Sequence, residues 1–364
     1  MQDTSHNSSG LTDRFFGWIR KRFASDHSAL TPRRGPRDHV IILDGTASTL
    51  KRGEETNAGL TFRLLQAHGQ ASLYYEAGIQ WRDWKSTHEV VLGRGINRQI
   101  CRAYGYLASR YRPGDRIFLV GFSRGAYAVR SLAGVIDQVG LLQAQHATER
   151  NIRQIYRLYR YAPSGTSAQA FSRQFCHDQA PIEMIGVWDT VKALGLRLPL
   201  LWRFRLQSHT FHNHELGDSI RRGFHALAHD ETRMAFAPVL WSCRPEWSGK
   251  VEQVWFRGAH GDIGGMIGPT PKARALSNIP LKWMLEKLNQ SGVDLPEGWR
   301  DEIHCDQDAP SVGTWQGFGK LFLFRRKRVV GQESSESLHE SLNQRLQRVP
   351  KDRFGGASVF FTKG

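Results

Sequence analysis

Two rhythms of apolar and polar residues run along this chain. Short apolar runs with little alternation recur at residues 39–43, 71–75, 117–122, 181–188 and 251–256. Strands that carry apolar side chains on both sides of the pleat are covered on both faces, as in the interior of a parallel sheet. Between these runs, residues 96–111, residues 126 to about 142 and a polar stretch ending at Tyr161 read as helices, as does a segment before Ala71. Strands alternating with helices predict an α/β fold, a mainly parallel sheet covered by helices on both faces. His225 and His229 stand one helical turn apart, so residues 225–231 are expected to form a helix packed behind the functional site. The same spacing could hold a metal between the two rings.

Composition narrows the class. With 364 residues the chain can bury a large core. Its 50 Lys and Arg outnumber 34 Asp and Glu, for a net charge of +16. Such a field attracts polyanions, either an anionic bilayer or nucleic acid. No helix-turn-helix, zinc-finger or RNP-like pattern accompanies it, which argues against nucleic acid. No apolar run is long enough to span a bilayer, and the start, Met-Gln-Asp-Thr-Ser-His, lacks the order of a secretory signal peptide. Cys101, Cys176, Cys243 and Cys305 are far apart. That pattern is neither a disulfide framework nor a zinc site, and the expectation is synthesis and folding in a reducing cytosol.

Residues 1–37 read as a basic amphipathic extension. Phe15, Ile19 and Phe23 share one helical face, with Arg14, Arg20, Lys21 and Arg22 interleaved. Such a face either lies on a membrane surface or docks on the body of the protein. Residues 38–364 form the α/β body, with a C-terminal extension from about residue 300. Within it, Leu321-Phe322-Leu323-Phe324 runs into Arg325-Arg326-Lys327-Arg328. This reads either as a contact for anionic lipid or as a buried strand followed by a solvated basic turn.

The chemistry centres on Gly121-Phe122-Ser123-Arg124-Gly125, a G-x-S-x-G pattern that leaves an apolar run and enters a helix-forming segment at Ala126. Strand, sharp turn and helix are the setting that lifts a serine to a strand tip, and the flanking glycines suit so tight a turn. A serine hydroxyl needs a histidine to take its proton and an acid to orient that histidine. On this architecture the order along the chain is Ser, then acid, then His, with each group at the carboxyl end of a strand. Asp189 directly follows the run at 181–188, and His260 lies in the glycine-rich loop after 251–256, which makes them the candidate acid and base. Asp218 and Asp230 compete as acids, and His225 as a base, but none directly follows a predicted strand. His260 could instead pair with Asp262, and Asp189 could cap a helix through Thr190 and Val191. His209, His212 and His214 match no metal-ligand spacing and read as a solvent-facing loop. Leu43-Asp44-Gly45-Thr46 lacks the first aspartate of the D-x-D-G-T aspartyl-phosphate motif, since Ile42 occupies that position. The backbone N–H groups of Gly45, Thr46 and Arg124 are the expected oxyanion donors. This chemistry calls for no metal or organic cofactor.

Taken in order, Leu43-Asp44-Gly45-Thr46, Gly121-Phe122-Ser123-Arg124-Gly125-Ala126-Tyr127, Val187-Trp188-Asp189-Thr190-Val191, His225-Ala226-Leu227-Ala228 with Asp230-Glu231, and Val254-Trp255-Phe256-Arg257-Gly258-Ala259-His260-Gly261-Asp262-Ile263-Gly264-Gly265 resemble the catalytic domain of type VI secretion phospholipase (lipase) effectors. Leu338-His339-Glu340-Ser341 resembles a further block near the family's end. The resemblance implies an α/β-hydrolase fold and a phospholipase or carboxylester hydrolase, with Ser123 as nucleophile, Asp189 as acid and His260 as base. It also implies a phospholipid or other ester substrate, peripheral membrane contact, and a secretion-apparatus or immunity partner. A non-catalytic interaction protein and a polyanion binder on the same scaffold are the alternatives from other classes.

Overall fold

The buried runs become strands, and the order in which they pair creates the site. A computed structural model describes residues 34–78, 94–191, 215–242, 244, 246–315, 319–320 and 322–348. The Phe15, Ile19 and Phe23 face, the His209, His212 and His214 cluster, Cys243 and Leu321 lie outside the described residues. From Arg37 the chain forms one compact unit. Its strands are β1 (Asp38–Leu43), β2 (Ser72–Glu76), β3 (Arg116–Phe122), β4 (Ile182–Trp188), β5 (Arg222–Ala228), β6 (Lys250–Phe256) and β7 (Glu336–Leu338). They form a seven-stranded sheet in the order β2-β1-β3-β4-β5-β6-β7, and every pairing is parallel.

Because side chains alternate across a strand, each run feeds both faces of the sheet. Ile41 and Leu43 of β1, and Ile117 and Leu119 of β3, enter one core together with α2 (Arg94–Ala108), α3 (Arg124–Gln138) and α4 (Glu149–Tyr161). Val40 and Ile42, and Phe118, Val120 and Phe122, enter the other core. That second core is closed by α1 (Asn57–His68) and α7 (Arg274–Gln290), while α5 (Thr166–Phe175) and the short α6 (His260–Gly264) complete the helices between the strands. A final helix, α8 (Glu340–Arg348), follows β7. A parallel sheet sheathed on both faces, with a serine at the β3–α3 turn, is the α/β-hydrolase architecture.

One element differs from expectation. The stretch around His225 is strand β5, not a helix. Its residues 223–228 are all buried, so both faces demanded apolar or neutral side chains and the four-residue histidine spacing carried no helical meaning. His225 lies in the sheet interior, and His229 stands beyond the strand beside Asp230. The two therefore do not share a helical turn.

Strand order reverses between β1 and β3, because β2 adds on one side of β1 and all later strands add on the other. Loops leave opposite faces at such a point and open a crevice at the carboxyl ends of the strands. Ser123 follows β3 and Asp44 follows β1, so both border that crevice. Three non-glycine residues have positive φ among those described, Ala47 (58°), Ser123 (56°) and Asp189 (40°). They follow β1, β3 and β4, three neighbouring strands. Each such conformation costs about 1–3 kcal/mol and persists where surrounding contacts over-determine it. Backbone strain is thus concentrated at one sheet edge.

Candidate active site

The turn after β3 is held by close backbone contact. A Cβ on Gly125 would lie 2.0 Å from the Leu43 carbonyl oxygen, and one on Gly121 would lie 2.7 Å from the Gly125 carbonyl oxygen. Both positions therefore require glycine. Ser123 N–H donates to the Trp188 carbonyl oxygen at 3.0 Å, and the Ser123 carbonyl accepts from Tyr127 N–H to begin α3. The serine sits between a strand end and a helix start, with its hydroxyl aimed at the crevice.

Ser123 Oγ lies 2.8 Å from His260 Nε2, and His260 Nδ1 lies 2.6 Å from Asp189 Oδ2. Asp189 is fully buried and His260 nearly so. Burial alone would raise the Asp189 carboxyl, but the Arg328 charge and the hydrogen bonds from His260 and Arg328 hold it well below the usual carboxylate range. An ionised carboxylate only accepts hydrogen bonds. The proton between it and His260 therefore resides on Nδ1, which leaves Nε2 to accept from the serine hydroxyl. That is the tautomer needed to deprotonate Ser123.

Several layers fix the imidazole. Its ring packs against Phe122 and Phe236, each at a centroid distance of 4.9 Å. Its backbone N–H donates to Glu231 Oε2 at 3.2 Å, and Glu231 is itself gripped by the Arg233 guanidinium at 2.9 and 2.6 Å. The hydrogen bonds of the Asp262 carboxylate go elsewhere. It accepts from Ala259 N–H, Ser311 Oγ–H and Val312 N–H and so ties down the loop around α6. Gly264 allows α6 to press on the Phe122 ring, since a Cβ there would overlap it at 1.9 Å. Asn57 Nδ2 spans from α1 to the Ile263 and Ser277 carbonyls.

The competing residues have other places. Asp230 accepts from Gly258 N–H, and Asp218 pairs with Arg244 at the surface. His225 Nε2 accepts from Thr190 N–H at 3.1 Å, immediately behind Asp189. Burial pushes its pKa down to about 3, so it is a neutral support for the Asp189 turn. Among the described residues no group of His, Cys, Asp or Glu is arranged to hold a metal ion, and no helix is long and apolar enough to cross a membrane.

The loop after β1 borders the serine, since a Cβ on Gly45 would stand 3.5 Å from Ser123 Cβ. Asp44, fully buried, accepts from Thr56 Oγ1 and Tyr75 Oη and also from Gly45 N–H at 2.6 Å. The Gly45 N–H is therefore engaged with a carboxylate and is not a free oxyanion donor, contrary to expectation. The N–H groups of Thr46 and Arg124 have no hydrogen-bond partner among the described residues, as the first residue of a helix normally leaves its N–H free.

The most consequential residue missed in the sequence is Arg328. It was one of four cations in a run, with no spacing to set it apart. It is 5% exposed at its side chain and forks onto Asp189, with Nη1 2.6 Å from Oδ1 and Nη2 2.9 Å from Oδ2. Arg325 of the same run is also occupied, donating to Thr314 and to the Gly319 carbonyl with its guanidinium over the Trp315 ring. The run is thus neither a strand nor a uniformly solvated basic turn. Leu323 and Phe324, in contrast, are 70% and 54% exposed.

Residues 37–287 match the family described as the type VI secretion system (T6SS) phospholipase effector, Tle1-like, catalytic domain. The uncharacterized protein YEL023C of Saccharomyces cerevisiae is 30% identical over 237 residues, which cover 56% of this chain and 34% of that protein. The chain therefore spans about a third of the length of that curated relative. Among solved structures, an uncharacterized protein from Pseudomonas aeruginosa aligns with a TM-score of 0.42 at 16% identity, over 83% of this chain and 53% of that one. The Tle1 effector bound to the VgrG spike of the type 6 secretion system aligns at 0.30 and 18%, over 64% and 52%. Apo esterase 2 of Thermogutta terrifontis aligns at 0.37 and 14%, over 72% and 87%. With the family match running across well over half of its residues, the chain belongs to the Tle1-like phospholipase effector catalytic-domain family.

Proposed function

We propose that the chain is a serine carboxylester hydrolase that cleaves phospholipids through an acyl-enzyme. The observation that carries this reading is the unbroken relay from Ser123 Oγ through His260 to Asp189, at 2.8 and 2.6 Å. In the first step His260 Nε2 takes the hydroxyl proton as Ser123 Oγ bonds to the ester carbonyl carbon. The resulting oxyanion is received by the N–H groups of Arg124 and Thr46. As the carbonyl re-forms, the bond to the leaving alcohol breaks, and that oxygen takes the proton from the imidazolium. Water then repeats the sequence on the acyl-serine and releases the fatty acid.

Family membership and the rim of the site both support a lipid over a small soluble ester. Phe236 touches the His260 ring and also packs against Phe322 at 5.4 Å. On the same segments Met234, Leu323 and Phe324 are exposed, with Met234 N–H bonded to the Phe324 carbonyl, and Trp315, under the Arg325 guanidinium, is exposed too. Large apolar side chains exposed to water on the segments that carry Phe236 and Phe322 suit acyl chains or a bilayer surface. The exposed cations Arg326 and Lys327 suit anionic headgroups. The family's description as secretion effectors supports delivery by a secretion apparatus.

The test is lipid mass spectrometry on mixed phosphatidylethanolamine and phosphatidylglycerol vesicles. Wild type should release free fatty acid, and Ser123→Ala should release about 10⁴-fold less or none. Equal release by the folded variant would remove Ser123 from the reaction.

A further inference from the structure

We infer that Arg328, contributed by the C-terminal segment beyond the family match, is a positioning residue that acts through Asp189 to set the working protonation range and the orientation of His260. The inference rests on reading Ser123, His260 and Asp189 as the catalytic relay. Both Asp189 oxygens are doubly occupied. Oδ1 accepts from Ala228 N–H at 3.0 Å and Arg328 Nη1 at 2.6 Å, and Oδ2 accepts from His260 Nδ1 at 2.6 Å and Arg328 Nη2 at 2.9 Å. A bidentate fork of this kind fixes the carboxylate plane as well as its charge. The fixed plane in turn aims Oδ2 at the imidazole.

Arg328 is itself held in place. Nη1 also donates to the Ala228 carbonyl at 2.9 Å and Nη2 to the Phe236 carbonyl at 2.5 Å. The two carbonyls lie at the end of β5 and beside the ring that packs on His260. Upstream, Arg326 N–H bonds the Thr232 carbonyl at 2.7 Å. Arg325 spans Thr232, Thr314 and Gly319. The segment is bonded to Thr232, Thr314, Gly319, Ala228 and Phe236 and delivers one buried cation to the acid.

The charge has a chemical consequence. A lone buried aspartate gives the resting relay a charge of −1 and strongly favours imidazolium. With Arg328 in contact, that charge is balanced, and removing the cation is expected to change the pH dependence of turnover. The other charged or titratable groups around the pair are His225 on β5, Arg130 on α3 acting on His225, Glu231 with Arg233 after β5, and Asp262 in α6. Arg328 is the cation that contacts the acid directly.

The experiment compares wild type, Arg328→Met and Arg328→Lys in the full chain, with p-nitrophenyl butyrate as probe and kcat and KM measured across pH. Loss of the cation should lower kcat by about 10- to 100-fold, leave KM within about threefold, and move the acid limb of kcat/KM upward by about one pH unit. Lysine keeps the charge but loses the fork, so its acid limb should stay with wild type while kcat falls. Wild-type kcat and acid limb in a folded Arg328→Met protein would overturn the inference. If the methionine variant does not fold, the lysine variant decides, and wild-type kcat in it overturns the claim. Ser123→Ala in the same assay separates the two readings. Full turnover there sinks the relay itself, whereas an inactive Ser123→Ala beside an unaffected Arg328→Met sinks only the role of Arg328.

Discussion

Replacing His260 by alanine should lower turnover of p-nitrophenyl butyrate by about 10⁴-fold or more while the protein stays folded. Among the described residues the imidazole is the side chain hydrogen-bonded to Ser123 Oγ, at 2.8 Å. Its neighbours offer no substitute. His225 already accepts from Thr190 N–H, and burial lowers its pKa to about 3, which makes it too weak a base to take the serine proton. His229 pairs with Asp230 outside the relay. His260→Gln, which keeps most of the volume between Phe122 and Phe236, should show the same loss. Unfolding is checked by thermal melting, because a gap between two aromatic rings is itself destabilising. Retention of even a tenth of wild-type activity in either variant would assign the base elsewhere.

Asp189→Asn should fail twice, in activity and in stability. Whichever way the amide sits, its NH₂ replaces an oxygen that now accepts two hydrogen bonds, so a donor meets donors from Arg328 and from either Ala228 or His260. The imidazole loses its ionised partner, its favoured tautomer changes, and activity should fall by roughly 10⁴-fold. Arg328 is meanwhile left buried without a counter-charge, and breaking a buried pair in this way costs about 3–5 kcal/mol. Adding Arg328→Met to Asp189→Asn should recover much of the stability and none of the activity. The Asp189 carboxyl is held below its ordinary value of 3.8, so its stabilising contribution is complete above that pH and is lost as pH falls towards the folded value. The stability difference between wild type and Asp189→Asn should therefore shrink below about pH 4. Urea denaturation at pH 7 and pH 3 measures both effects, and equal stability of the two proteins at pH 7 would contradict the account of the buried pair.

Much of the architecture is legible because buried parallel strands announce themselves as apolar runs, and each of the five runs read at the outset contains or overlaps a strand. Strand β5 escaped because Arg-Gly-Phe-His-Ala-Leu-Ala contains a histidine and three small residues, and its burial depends on partners far away in sequence. The candidate site was readable for a related reason. Ser123, Asp189 and His260 each lie directly after a strand or in the loop beyond one, so topology brings them to one edge. Arg328 has no such marker. Its place is fixed by tertiary contacts of an irregular segment, and one arginine among Arg325, Arg326, Lys327 and Arg328 differs from its neighbours only in where it points. Asp44 was noticed for a motif it fails to complete. Its structural role, engaging Gly45 N–H while bonded to Thr56 and Tyr75, depends on side chains brought together by folding.

The central claim is that Ser123 is the nucleophile, and the most direct measurement is covalent capture by a fluorophosphonate followed by peptide mass spectrometry. Trypsin cleavage after Arg116 and Arg124 isolates the serine on the peptide spanning residues 117–124. The phosphonyl adduct should map to that peptide alone, vanish in Ser123→Ala, and form far more slowly in His260→Ala. A folded, lipid-hydrolysing protein that takes up no label at Ser123, or takes it up at another residue, would contradict the account.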